Sequence, residues 1–162
     1  MKLILREIAE KDNEAMALII RKALEKHGVA RPGTVYTDPT TDDLFSLFKK
    51  EGSVYFVLEF EGKIVGGCGV YPTTGLPDGC AELVKLYTDQ DVRGKGFGAL
   101  LMESSAMAAK EMGYKQLYLE TLPELAQAVS LYERLGYKKL DAPLGESGHF
   151  ACSIWMLKVL YN

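Results

Sequence analysis

Between residues 93 and 98 the chain reads Arg93-Gly94-Lys95-Gly96-Phe97-Gly98, three alternate glycines and two cations set directly before a long run with helical apolar spacing. The preceding residues, 81–88, read as a strand, so the segment must turn a strand into a helix within a few residues. A helix that starts this way presents unbonded backbone N–H groups, with the helix dipole behind them, to whatever lies ahead. A pyrophosphate fits there. Glycine lets phosphate oxygens approach the backbone, and Arg93 and Lys95 supply locally the positive charge that the chain, at a formal net charge of -3, lacks as a whole. That same charge argues against nucleic acid as the main ligand. The P-loop pattern G-x-x-x-x-G-K-[ST] fails because Gly96 follows Gly94-Lys95 where Ser or Thr is required. The dinucleotide fingerprint G-x-G-x-x-G is met only if Ala99 stands in for its third glycine, and a Rossmann reading stays open on that ground alone.

The flanking chain alternates strand and helix signals. Residues 3–8 read as a first strand, and residues 11–26 carry Met16, Ile19, Ile20, Ala23 and Leu24 at helical spacing up to Gly28. Residues 29–40, with Pro32, Gly33 and Pro39, read as a loop, followed by a short helix capped by Asp42 or Asp43; the pair forms a candidate lid. Residues 54–60 and 63–71 form a hairpin turning at Glu61-Gly62. After the strand at 81–88 comes the longest helix, 97–112, with Phe97, Leu100, Leu101, Ala108 and Met112 as its apolar stripe and Gly113 as its stop. Residues 116–120 alternate as a strand. Thr121 and Glu124 have capping-box spacing ahead of a helix that Gly136 ends, and residues 137–140 and 150–157 read as the last two strands. This order of hairpins and crossovers points to one mixed sheet covered by helices, in a single domain over residues 1–162.

At this point two motifs resemble a known family. Arg93-x-x-Gly96-x-Gly98 is similar to the acetyl-coenzyme A pyrophosphate motif, [QR]-x-x-G-x-[GA], of the GCN5-related N-acetyltransferases (GNAT). Leu131-Tyr132-Glu133-Arg134-Leu135-Gly136-Tyr137 resembles that family's second hallmark, L-Y-E-x-L-G-[FY], and Leu86-Tyr87-Thr88-Asp89 resembles its strand ending. The resemblance covers nearly the whole chain. It implies an α/β (α+β) fold: a mixed, mostly antiparallel twisted sheet of about seven strands flanked by about four helices, its central strands splayed.

The resemblance also implies roles. Acetyl-coenzyme A would lie between the strand at 81–88 and its neighbour at 116–120, its pantetheine arm on backbone groups near Leu86, Tyr87 and Thr88, and its pyrophosphate on the backbone of Arg93, Gly94, Lys95, Gly96, Phe97 and Gly98. An N–H near Leu86 would hold the oxyanion. Glu82 resembles the general-base glutamate of the histone-acetylating members and on a regular strand shares a face with Val84 and Leu86; Glu120, ending the adjacent strand, is the second candidate. Tyr132 matches the tyrosine that protonates the coenzyme A thiolate. There is one departure: many members carry asparagine seven residues before that tyrosine, where this chain has Leu125.

The expected activity is therefore direct transfer of acetyl from acetyl-coenzyme A to an amine of a small molecule or protein. The alternative is a non-catalytic acyl-coenzyme A binding or sensing domain on the same fold. Cys68, Cys80 and Cys152 have neither C-x-x-C pairing nor zinc-finger histidines, so reduced structural thiols and no metal are expected. His149, in the glycine-containing segment 141–149, is either solvated or placed to touch the acceptor. The apolar run at residues 3–5 is too short for a signal peptide, and no stretch is long enough to span a bilayer, so a cytoplasmic protein is expected. Homodimerisation is common in the family, though no residue here demands it. The acceptor itself is expected to be chosen by the loops at 29–40, including Tyr36, and 141–149.

Overall fold

The computed structural model describes residues 2–161. Seven strands form one sheet in the order β1-β2-β3-β4-β5-β7-β6, where β1 is Leu3–Glu7, β2 Val54–Phe60, β3 Lys63–Tyr71, β4 Cys80–Thr88, β5 Gln116–Thr121, β6 Lys138–Leu140 and β7 Ile154–Val159. All neighbours are antiparallel except β4 and β5. Four helices cover it: α1 Asn13–Lys26, α2 Leu44–Leu47, α3 Phe97–Glu111 and α4 Ala126–Arg134. The α/β expectation, its strand count and its helix count hold.

Each face of the sheet has its own core. On one, α3 and α4 bury Leu101, Met102, Val129 and Tyr132 against Leu58, Val70, Leu83 and Leu117. On the other, α1 and α2 bury Met16, Ile20, Leu24 and Leu44 against Tyr55 and Val57. The hairpin turns where expected, at Glu61 and Gly62, both at positive φ (53° and 82°), the geometry that follows the right-handed twist of paired strands.

Four local expectations are corrected. The last strand begins at Ile154, not at residue 150, because residues 149–152 form a turn: the Cys152 N–H bonds the His149 carbonyl and the Ala151 N–H bonds the Gly33 carbonyl (3.1 and 3.0 Å). No capping box forms at Thr121 and Glu124. Thr121 ends β5, a 3-10 turn at Pro123–Leu125 precedes α4, and Glu124 instead pairs with Arg31. The buried stripe of α3 is Phe97, Leu101, Met102, Ser105 and Ala109, while Met112 lies outside it and is exposed. The α3 stripe is rotated because the helix packs across β2, β3 and β4 rather than along a single strand. The fourth, the pleat of β4, belongs to the site.

Candidate functional site

Parallel pairing between β4 and β5 lasts for only three residue pairs, Cys80↔Gln116, Ala81↔Leu117 and Glu82↔Tyr118, although β4 runs on to Thr88 and β5 to Thr121. Beyond Glu82 the two strands part and leave backbone groups of both without a strand partner on that side, and these must be met by something else. The gap is a cleft of about 710 Å³, with α1 on one side and α4 on the other.

A bulge in β4 re-aims this wall. Against β3, Gly69 pairs with Val84 but Gly67 pairs with Tyr87, so two steps on β3 meet three on β4. Lys85 takes up the extra residue in the left-handed region, at φ 54°, a strained conformation for a side chain of its size. The buried Tyr55 hydroxyl holds it by donating to the Lys85 carbonyl (2.7 Å). The bulge overturns one expectation: Leu86 moves to the face of Leu83 and packs with α3 and α4, whereas Val84 and Tyr87 pack on the α1 side. Glu82 thus shares its face with Val84 and not with Leu86.

At the far end of β4 a 3-10 turn, Gln90–Val92, is capped by Asp89, whose Oδ1 accepts from the Asp91 N–H (3.0 Å). The glycine loop follows. Gly94 and Gly96 have φ 81° and 79°, which only glycine adopts freely, and Gly96 is the N-cap of α3. Gly98 instead sits close to α4: a Cβ there would lie 3.2 Å from the Leu131 side chain. The Arg93 N–H is spent on the Gln90 carbonyl (3.2 Å) and the Leu100 N–H on that of Gly96 (3.1 Å). Among the described residues no backbone carbonyl takes the N–H groups of residues 94–99, so the free donors start one residue later than the motif does. The Arg93 guanidinium lies 3.2 Å from Nε2 of His27, the C-cap of α1, and burial together with that cation holds the His27 pKa down.

Of the residues singled out from the sequence, Leu86, Tyr87, Thr88, Arg93, Gly94, Gly96, Phe97 and Gly98 all line the cleft. So do Glu82, Glu120 and Tyr132. Lys95 does not: its ammonium sits 5.6 Å from the centre of the Phe60 ring. Tyr132 is buried, with its ring edge-on to Tyr137 at 6.1 Å, and burial pushes its phenol pKa well above the ordinary value.

At the opposite end of the cleft, charged groups converge. Glu82 is 3% exposed; burial pushes its carboxyl up to about 7, against the hydrogen bond from the Thr73 hydroxyl (2.6 Å) and with the help of the Glu120 charge. Glu120 accepts on both oxygens, from the Tyr118 hydroxyl (2.6 Å) and from the Ser147 hydroxyl. A ring nitrogen of His149 and one oxygen of each glutamate lie within 4.8 Å of one another, a grouping with the donor set of a metal site.

Sequence reasoning left His149 undecided and missed Asp38, Lys85 and Ser147. Asp38 Oδ2 lies 3.0 Å from His149 Nε2 and 3.4 Å from the Lys85 ammonium, and its Oδ1 accepts from Thr40. Burial would raise the Asp38 pKa, but His149, Lys85 and Thr40 outweigh it and hold the carboxyl well below the usual range. For Lys85 burial wins over the same partner, and its pKa falls. This one carboxylate fastens three segments: the loop before α2, the β4 bulge and the segment before β7. The last is also tied down by the Glu146 N–H to the Thr74 carbonyl (2.7 Å) and the Leu144 N–H to the Tyr118 hydroxyl (3.1 Å).

The family model described as the acetyltransferase (GNAT) family matches residues 9–137. The chain belongs to that family. It is 39% identical over 158 residues to the Escherichia coli (strain K12) protein named Uncharacterized N-acetyltransferase YjgM, covering 97% of this chain and 95% of that one. Among solved structures, a GNAT-family acetyltransferase from Staphylococcus aureus Mu50 superposes with a TM-score of 0.84 at 17% identity, over 99% of this chain and 100% of the other. A GNAT superfamily phosphinothricin acetyltransferase from Sinorhizobium meliloti, solved in complex with AcCoA, reaches 0.76 at 20% identity, over 98% and 89%. These two likenesses concern the fold, and the split sheet is a GNAT sheet.

Proposed function

We propose that the protein transfers an acetyl group from acetyl-coenzyme A to an amine by direct attack in a ternary complex. The reading is carried by the parting of β4 and β5 after the Glu82↔Tyr118 pair, which gives one cleft the glycine loop and helix N-terminus at one end and a buried carboxylate at the other. Family membership and the AcCoA complex of the Sinorhizobium neighbour support the choice of donor. The N–H groups of residues 94–99 would take the pyrophosphate, and the backbone around the bulge, near Leu86, would bind the pantetheine arm and hold the developing oxyanion.

An alkylammonium, with a pKa of roughly 10, must lose a proton before it attacks. Glu82 is the fitting base, since a carboxyl pushed up to about 7 is ionised at slightly alkaline pH yet basic enough to take that proton. Glu120 fits the role less well because both its oxygens already accept hydroxyl protons. As the nitrogen bonds the carbonyl carbon and the C–S bond breaks, the hydroxyl of Tyr132, which lines the cleft, protonates the sulfur. Burial pushes the thiols of Cys68, Cys80 and Cys152 up to about 12, 11 and 12, which disfavours an acetyl-cysteine intermediate.

Thiol release from acetyl-coenzyme A across a panel of amines and peptides tests this. Release with at least one amine, sharply reduced in Tyr132→Phe, is the expected result. Thermal stabilisation by acetyl-coenzyme A with no release for any amine would instead establish a non-catalytic binding domain.

A further inference from the structure

Resting on that reading, we infer that Glu82, Glu120 and His149 together receive the acceptor as a primary ammonium, and that the acceptor carries no carboxylate on the carbon bearing that nitrogen. Three atoms mutually within 4.8 Å always share a point no farther than about 2.8 Å from each, which is hydrogen-bond distance. A primary ammonium has three N–H bonds, one for each corner.

All three corners are pinned from behind. Thr73 holds Glu82, Tyr118 and Ser147 hold Glu120, and Asp38 holds the His149 ring through Nε2. The receptor requires the accepting nitrogen of His149 to be Nδ1, with Nε2 given to Asp38. Acceptors fixed in this way lose little freedom when a ligand arrives. Glu82 adds an independent sign of a ligand. The residue is 3% exposed yet lines the cleft, and the Thr73 hydroxyl is its one hydrogen-bond donor among the described residues. An enclosed carboxylate with a single donor has acceptor capacity left over, and an incoming N–H can use it.

Charge decides the rest of the acceptor. Two of the triangle's corners are carboxylates and Asp38 stands behind it, while the Lys85 ammonium beside it is spent on Asp38. Arg31, on the loop leading to Asp38, is bonded to Glu124. A carboxylate one carbon from the bound nitrogen would therefore meet Glu82 and Glu120, while Lys85 and Arg31 are already paired. Once bound, the ammonium passes one proton to the Glu82 carboxylate, leaving a neutral carboxyl and an amine whose lone pair is free to attack.

Calorimetry on the full chain in the presence of coenzyme A tests the receptor apart from catalysis. Pentylamine is expected to bind at least about tenfold more tightly than pentyltrimethylammonium, which has no N–H, and than norleucine, which adds the α-carboxylate. Pentane-1,5-diamine and a lysine within a blocked peptide then tell whether a free amine or a protein side chain is the better source of the same group. Glu120→Gln and His149→Gln should each weaken pentylamine about tenfold while leaving coenzyme A affinity unchanged. If either variant fails to fold, the wild-type ligand series decides. Equal binding of the three probes, no binding of any, or amine binding that vanishes on chelation of divalent metal would overturn the receptor. Thiol release is scored separately: a chain that binds pentylamine selectively but releases no thiol keeps the receptor and loses the transferase.

Discussion

Replacing Glu82 by glutamine should raise the stability of the fold while removing its activity, with a pH signature of its own. Burial moves the carboxyl from an ordinary 4.5 in the unfolded chain to about 7 in the folded one. Below pH 4.5 both states hold the proton and the residue adds no pH dependence. Between 4.5 and 7 the unfolded state releases the proton and the folded state keeps it, so stability falls as pH rises; above 7 both are ionised and the cost stays constant. A span of about 2.5 pH units at about 1.4 kcal/mol each gives a penalty of about 3 kcal/mol. Glutamine keeps an oxygen for the Thr73 hydroxyl and never ionises. Thermal melts of wild type and Glu82→Gln should coincide near pH 4 and separate progressively to pH 8, with the variant melting about 6 to 12 °C higher. Wild-type kcat/KM should fall below about pH 7 as the base is protonated, and the variant should retain only residual turnover. A variant less stable than wild type at pH 8, or a gap independent of pH, would refute the view that desolvation governs this carboxyl.

Three further outcomes follow from the geometry. Tyr132→Phe, which keeps the ring in its core position, should lower kcat about 10²-fold with little change in melting temperature, measured by steady-state thiol release and calorimetry. Gly96→Ala puts a Cβ on a residue at φ 79° and should cost roughly 1 kcal/mol of stability and weaken acetyl-coenzyme A binding while leaving amine affinity alone, read by denaturant titration and by titration of each ligand. Asp38→Asn leaves the Lys85 ammonium, 4% exposed, without its counter-charge; a loss of about 2 kcal/mol is expected, at the low side of a buried pair because Asp38 keeps solvent contact.

The order of elements was legible in the chain because it is written in local chemistry. The Glu61-Gly62 turn between two strand-like runs marks the hairpin, the 3.6-residue period marks α1, and the glycine loop marks the start of α3. The inside of the cleft is set by longer-range effects. Nothing in Val84-Lys85-Leu86 announces a bulge, since lysine is no residue of choice for φ 54°, so regular alternation put Leu86 on the wrong face. The signal lay across the ladder instead: a Cβ on Gly67 or Gly69 of β3 would come within 2.5 or 2.6 Å of the Tyr55 ring, and Tyr55 is the residue that grips the Lys85 carbonyl. Glycines clustered in a strand mark such close approach, and Gly66-Gly67-Cys68-Gly69 shows the cluster plainly.

The convergence of Asp38 and His149 left no comparable trace. They are 111 residues apart, each in a loop without periodicity, and they meet because β4 and β5 part and the loops at their open end must cover the gap. On the proposed reading that division has a physical reason: the donor end needs backbone at fixed angles, which glycine spacing encodes locally, whereas the amine end needs charges of both signs brought from several loops, which only the folded sheet assembles. On that reading a change of acceptor would come from the segments at 29–40 and 141–149 while the glycine loop and the parting of β4 from β5 stay as they are. Grafting those two segments from a relative of different amine preference should move selectivity with them, read as the ratio of kcat/KM for two amines, while acetyl-coenzyme A affinity stays constant. Selectivity that stayed with the sheet would place recognition elsewhere.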